Sequence, residues 1–116
     1  MEKEKQQIFD ILNKVLNVAN EILIMTQNQG TIIEYSDKKD VLDEIIYNKS
    51  LKIEELNELE DKFQLLYNKF GSSISDEADI RQLKNIVSKI VNTKKHITQE
   101  EENNRKYFTK TLKTKV

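Results

Sequence analysis

Between Ile8 and Ile33 apolar residues return every seven positions in four adjacent rows, and this repeat constrains the fold more than any other feature of the chain. Ile8, Val15 and Ile22 form one row, and Phe9, Leu16 and Leu23 the next. Ile11, Val18, Met25 and Ile32 form the third; Leu12, Ala19 and Ile33 form the fourth, with Thr26 in its gap. Seven residues make nearly two helical turns, so each row runs along a helix and the four together cover one broad face. Asp10, Asn13, Lys14, Asn17, Asn20 and Glu21 occupy the opposite face, which only Ile24 interrupts. A stripe this wide exceeds the seam of a two-stranded coiled coil and suits a bundle core. The third and fourth rows resume in register beyond Gly30, so the helix is expected to reach about Tyr35. It then carries the roughly 1 kcal/mol cost of an interior glycine; a hinge from Asn28 to Gly30 is the alternative.

Two further helices follow from the same reasoning. Ser36 and Asp37 offer side-chain acceptors for the open amides of a second helix. Its inward rows are Leu42, Leu56, Phe63 and Phe70, with Ile45, Leu59 and Leu66 beside them and Ile46, Ile53 and Tyr67 widening the stripe. Lys49 and Lys52 fall where these rows would be apolar, and their stems are expected to pack while the ammonium groups reach water. Gly71 is placed to end the helix in a left-handed conformation. Ser73 with Asp76, or Ser75 alone, is expected to cap a third helix, whose stripe of Leu83, Ile86, Val87, Ile90, Val91 and Ile97 is narrower. After Ile97 the pattern thins to TQEEENNRK, where Thr98 and Glu101 offer a fresh cap. With no proline and only two glycines to interrupt helices, the expected fold is all-α. It is an elongated antiparallel hairpin of two long helices, about 3–35 and 37–70, with a third, about 75–97, packed on it. Residues 1–97 form the bundle domain, and 98–116 are a helix extension or a mobile partner-binding tail.

The same residues exclude most chemistry. No cysteine is present, so there is no disulfide or thiolate, which fits a reducing cytoplasm. The opening MEKEKQQIFD lacks the apolar run of a secretory signal, and no stretch approaches the ~18 apolar residues of a membrane span. His96 is the only histidine, and the residue three before it is Thr93, not the glutamate of a di-metal bundle site. Neither glycine belongs to a phosphate-binding loop. Glu54, Glu55, Glu58, Glu60 and Asp61, like Glu100 to Glu102, lack the spacing and central glycine of a calcium loop and read as a solvated face. Long helices and a pI near 5.9 lack the footprint of a nucleic-acid binder. Charge is graded along the chain, from −2 over residues 1–36 and −3 over 37–71 to +4 over 72–116. No enzyme activity, metal or cofactor is expected. The wide rows of the first helix demand more partner than one hairpin supplies, which points to weak self-association or to a helix from another protein.

Glu101-Glu102-Asn103-Asn104-Arg105-Lys106-Tyr107-Phe108-Thr109-Lys110-Thr111-Leu112 resembles the C-terminal stretch of FlgN-type flagellar export chaperones, in which an acidic lead-in runs through asparagine into paired large apolar residues and a leucine one turn later. Val41-Leu42-Asp43-Glu44-Ile45-Ile46-Tyr47-Asn48-Lys49 looks like the same family's paired aliphatics followed by lysine, and the order of helices agrees over nearly the whole chain. FliT-type chaperones share much of this architecture. The chain is shorter than many members, and Tyr107-Phe108 replaces the more usual aliphatic pair. The resemblance implies a cytoplasmic chaperone that shields a flagellar type III export substrate, a hook–filament junction protein or the filament cap, through the substrate's terminal helices, with export-apparatus components as further partners.

The expected partner-binding residues are Asn104, Tyr107, Phe108 and Leu112, together with the adjoining part of the third helix. In a helical segment Asn104, Tyr107 and Phe108 lie within one turn, and Leu112 continues the face of Phe108. The alternative is that Tyr107, Phe108 and Leu112 fold back to cap the end of the hairpin.

Overall fold

In a computed structural model the chain is all-α. The structure describes residues 2–35 and 39–114, with side chains over 2–33 and 40–107. Helix α1 spans Glu2–Tyr35, α2 spans Lys39–Phe70, and α3 spans Glu77–Thr114, with a single 3-10 turn at Gly71–Ser73 between the last two. The body measures 61 × 22 × 17 Å. Ser36 and Asp37, the expected caps of α2, lie outside the described residues.

Helix α1 lies at the centre. It packs against both other helices, whereas the backbones of α2 and α3 scarcely approach one another. α2 runs antiparallel to α1, and α3 returns parallel to it: Lys5 meets Asp79 at 2.9 Å, and Thr93 Oγ1 lies 3.3 Å from Asn20 Oδ1. The four rows of α1 thus divide their work. Ile8, Val15, Ile22 and Thr26 are fully buried along the middle, and the flanking rows turn towards α2 on one side and α3 on the other. Leu56 of α2 and Ile86, Ile90 and Ile97 of α3 complete the core. The width of the α1 stripe, which suggested a missing partner, is therefore accounted for within the chain.

Helix α3 uses a different pattern. Leu83, Ile90, Ile97 and Asn104 form one seven-residue row, and Ile86, Thr93, Glu100 and Tyr107 the other. This alternation of three and four is a single narrow seam, and it continues through TQEEENNRK because Asn104 occupies the next inward position. The helix accordingly runs unbroken to Thr114. Thr98 caps nothing; its hydroxyl donates to Lys94 O at 3.1 Å, an interior helical bond.

The turn between α2 and α3 differs from its sequence reading in two ways. No described residue has positive φ, so Gly71 is not a left-handed terminator. A β-carbon there would sit 3.0 Å from the Tyr67 ring, and glycine leaves room for that ring. Nor does Ser73 or Ser75 cap α3. Asp76 does so, its Oδ1 accepting the Ala78 amide at 2.9 Å, while Ser73 donates to Phe70 O. Ile74, 7% exposed, is folded inward beneath the turn.

Two substitutions within one turn of α1, on opposite faces, test this division by thermal melting. Ile22→Ala is expected to cost about 2–5 kcal/mol because the cavity opens in the shared core. Ile24→Ala, on the outer face at 56% exposure, should stay within about 0.5 kcal/mol of the parent.

Candidate partner-binding surface

Part of the apolar surface that remains lines the seam between α2 and α3; Leu65, Tyr47 and Leu51 of α2 and Ile24 of α1, outside the seam, are more exposed still. On α2, Ile46, Ile53, Glu60 and Tyr67 form a seven-residue row, and on α3 Ile80, Val87, Lys94 and Glu101 form another. Lys94 forms an ion pair with Glu60, and Lys49 of α2 reaches Glu101 Oε1 at 3.2 Å, so the two rows face each other across the open seam. Ile46, Ile53, Tyr67, Val87 and the neighbouring Val91 are each 37–43% exposed. They are flanked but not covered, in contrast to the rows of α1.

At the end where α1 and α3 finish and α2 begins, the seam deepens into a cavity of about 390 Å³. Gln29, Ile33, Leu42, Ile46, Lys49, Glu101, Asn104 and Arg105 line it. Its apolar wall comes from α1 and α2, and its polar wall is held by a specific network. Lys49, 8% exposed, does not send its ammonium to water as expected; it donates to Gln29 Oε1 at 2.9 Å and to Glu101 Oε1. A lysine so deeply placed needs such acceptors, because an unpaired buried charge is costly. Lys52, one turn on, sits further out. Hydrogen bonds first to Glu21 and then to Glu55 hold its proton above the ordinary lysine value.

Asn104 lies beside this network and makes a contact of its own with α1. It was expected on the partner-binding surface, yet it is 6% exposed and turned into α1. Its Nδ2 donates to Thr26 O at 3.0 Å, using the second lone pair of a carbonyl already engaged within the helix. Its Oδ1 lies over Gly30, where a β-carbon would collide with it. The interior glycine that looked like a cost to α1 is therefore the space into which α3 places its one buried amide. Thr26 is satisfied in turn by donating to Ile22 O at 2.7 Å. A buried amide with one matching glycine opposite fixes the register of two parallel helices, since a shift in either direction strands it. The two rows carried the signal: Asn104 follows Leu83, Ile90 and Ile97, and Gly30 follows Phe9, Leu16 and Leu23.

Of the other expected site residues, Tyr107 is 45% exposed on the row of Ile86 and Thr93, the flank that faces α1. Phe108 and Leu112 fall in α3, but their side chains lie outside the described residues. Of the expected solvated acids, Glu54, Glu55, Glu58, Asp61, Glu101 and Glu102 are exposed and only Glu60 and Glu100 are half-buried; Glu55, Glu60, Glu100, Glu101 and Glu102 each stand in an ion pair. His96 stands half exposed, 3.6 Å from Glu100. Among the described residues no three acidic or histidine side chains are grouped to hold a metal, and no helix is long and apolar enough to cross a membrane.

The register lock makes a double-mutant prediction. Gly30→Ala should gain about 1 kcal/mol in helix propensity yet destabilise overall, because it displaces a buried hydrogen-bonded amide worth roughly 1–3 kcal/mol. Asn104→Ala alone should also destabilise. The double variant should melt well above the sum of the two losses, since the new methyl enters the space the amide vacates; strict additivity would contradict the contact.

The chain matches no protein-family profile, no curated protein and no solved structure.

Proposed function

We propose that this chain is a non-catalytic binding protein that receives an amphipathic helix of another protein in the seam between α2 and α3. The observation that supports it is the contrast between the two sides of the bundle. The rows of α1 are covered by the chain itself, while Tyr67, Val87 and Val91 towards one end, and Ile53 and Ile46 towards the other, line an uncovered seam that ends in a cavity. A helix laid there has apolar groups to cover along its length, and a cavity of this volume accepts an anchoring leucine or phenylalanine side chain at one end. Binding of this kind shields an aggregation-prone helix and releases it without covalent chemistry.

Taken with the FlgN-type resemblance of the α3 end, the specific form of this reading is a cytoplasmic chaperone. Its client is a flagellar type III export substrate, held through a terminal helix until secretion. The cavity-lining Asn104 and Arg105 fall within the stretch that carries the resemblance, which supports placing client contact at that end. Asn104 contributes there by fixing α3 in register rather than by touching the client.

Substitution in the seam separates binding from folding. Ile53→Asp, at a side chain already more than a third exposed, is expected to change stability by less than about 1 kcal/mol. It should abolish capture of the client from extracts of the source cell while leaving the chain monomeric by light scattering. A captured partner that is not a secreted flagellar component would remove the export role and leave the binding role. A fixed dimer in the absence of any client, dispersed by Ile53→Asp, would contradict both.

A further inference from the structure

The seam has two lips of opposite charge, and these specify the edges of the helix it takes. On α2, the outer rows flanking Ile46, Ile53 and Tyr67 expose Asp40, Asp43, Glu54 and Asp61, with Ser50, Asn57 and Gln64 between them and no base. On α3, the outer rows flanking Val87 and Lys94 expose Arg81, Lys84, Lys95 and Arg105. Glu77 and Glu102 are the acids of that lip, and Glu102 is within 3.9 Å of Arg105. One lip is uniformly acidic and the other predominantly basic.

We propose, building on the helix-binding reading above, that the occupant is an amphipathic helix with bases along one edge of its apolar face and acids along the other. Its basic edge lies along α2 and its acidic edge along α3. Reversing a helix in a groove, with its apolar face still inward, exchanges the two edges. The lips therefore select the direction in which the helix lies, and so which of its ends meets the cavity beside Leu42 and Arg105. Each exposed pair contributes little by itself. The opposite arrangement sets like charges along both lips at once, so the sum discriminates direction more than it adds affinity.

Two designed peptides of about 21 residues test this, with identical apolar faces and with lysine and glutamate edges exchanged between them. The chain lacks cysteine, so Ser50→Cys near the cavity end and Ser88→Cys towards the other end each give one acceptor-dye site on the full-length protein. Energy transfer from a donor on the peptide N-terminus then reports direction. The expected result is that both peptides bind and lie in opposite directions. Peptides with all-lysine or all-glutamate edges should bind several-fold more weakly at low salt, with the difference closing at high salt. Equal binding in a common or random direction, lost on Ile53→Asp, would overturn the charge rule and leave the helix-binding reading standing. Binding that ignores Ile53→Asp, or no binding by any peptide, would overturn both. Self-association of the chain that displaces the peptides would assign the seam to a second copy and overturn the proposal.

Discussion

Helix α1 has to satisfy two neighbours at once, and the rest of the bundle is arranged around that demand. Its apolar stripe is broad enough that α2 covers one flank and α3 the other, each from a helix with a narrower inward face. Once both are docked on α1, the breadth of α1 itself keeps their backbones apart. The ion pairs Lys49–Glu101 and Lys94–Glu60 cross the resulting gap without closing it. The open seam is thus a geometric consequence of a wide central helix with two partners and no fourth. A helix from another protein would complete a four-helix arrangement of the familiar kind.

The bundle is not uniform along its length. Towards the start of α1 the core contacts are apolar, with Phe9, Leu12, Val15 and Ile22 in the core. Towards its end they become polar: Thr26, Gln29, Lys49, Glu101 and Asn104 replace the apolar positions, and the cavity opens among them. Polar contacts of this kind contribute less net stability than the burial they replace, but they punish misalignment. The apolar end supplies the free energy of folding, and the polar end sets the register. Sites that must open for a partner tend to lie where local stability is low, and here the cavity occupies the polar end.

Periodicity was sufficient for the helices and for the hairpin, because apolar rows report a face directly. It also marked Ile24 as an outlier that the structure leaves outside. It failed wherever a residue's role depended on what stood opposite. Gly30 looked like a tolerated defect until Asn104 was placed over it, and Gly71 looked like a left-handed cap when the constraint was the Tyr67 ring. Lys49 looked able to reach water, but its row is the middle of three on α2 and the acceptors come from α1 and α3. The third helix appeared to fade after Ile97 because its seam turns polar while remaining a seam. The row Ile46, Ile53 and Tyr67 was read as widening the inward stripe of α2, and the structure leaves it more than a third exposed. That it stays uncovered depends on how two helices share a third, which no single row records.

Native-state hydrogen exchange of the isolated chain tests the central claim most directly, because it measures opening free energy amide by amide. The shared-core account predicts the slowest exchange in the middle of α1, from Val15 to Ile22, and distinctly faster exchange around Gln29 to Ile33, Leu42 to Lys49 and Glu101 to Tyr107. Uniform protection of all three helices, or slowest exchange at the cavity end, would contradict it.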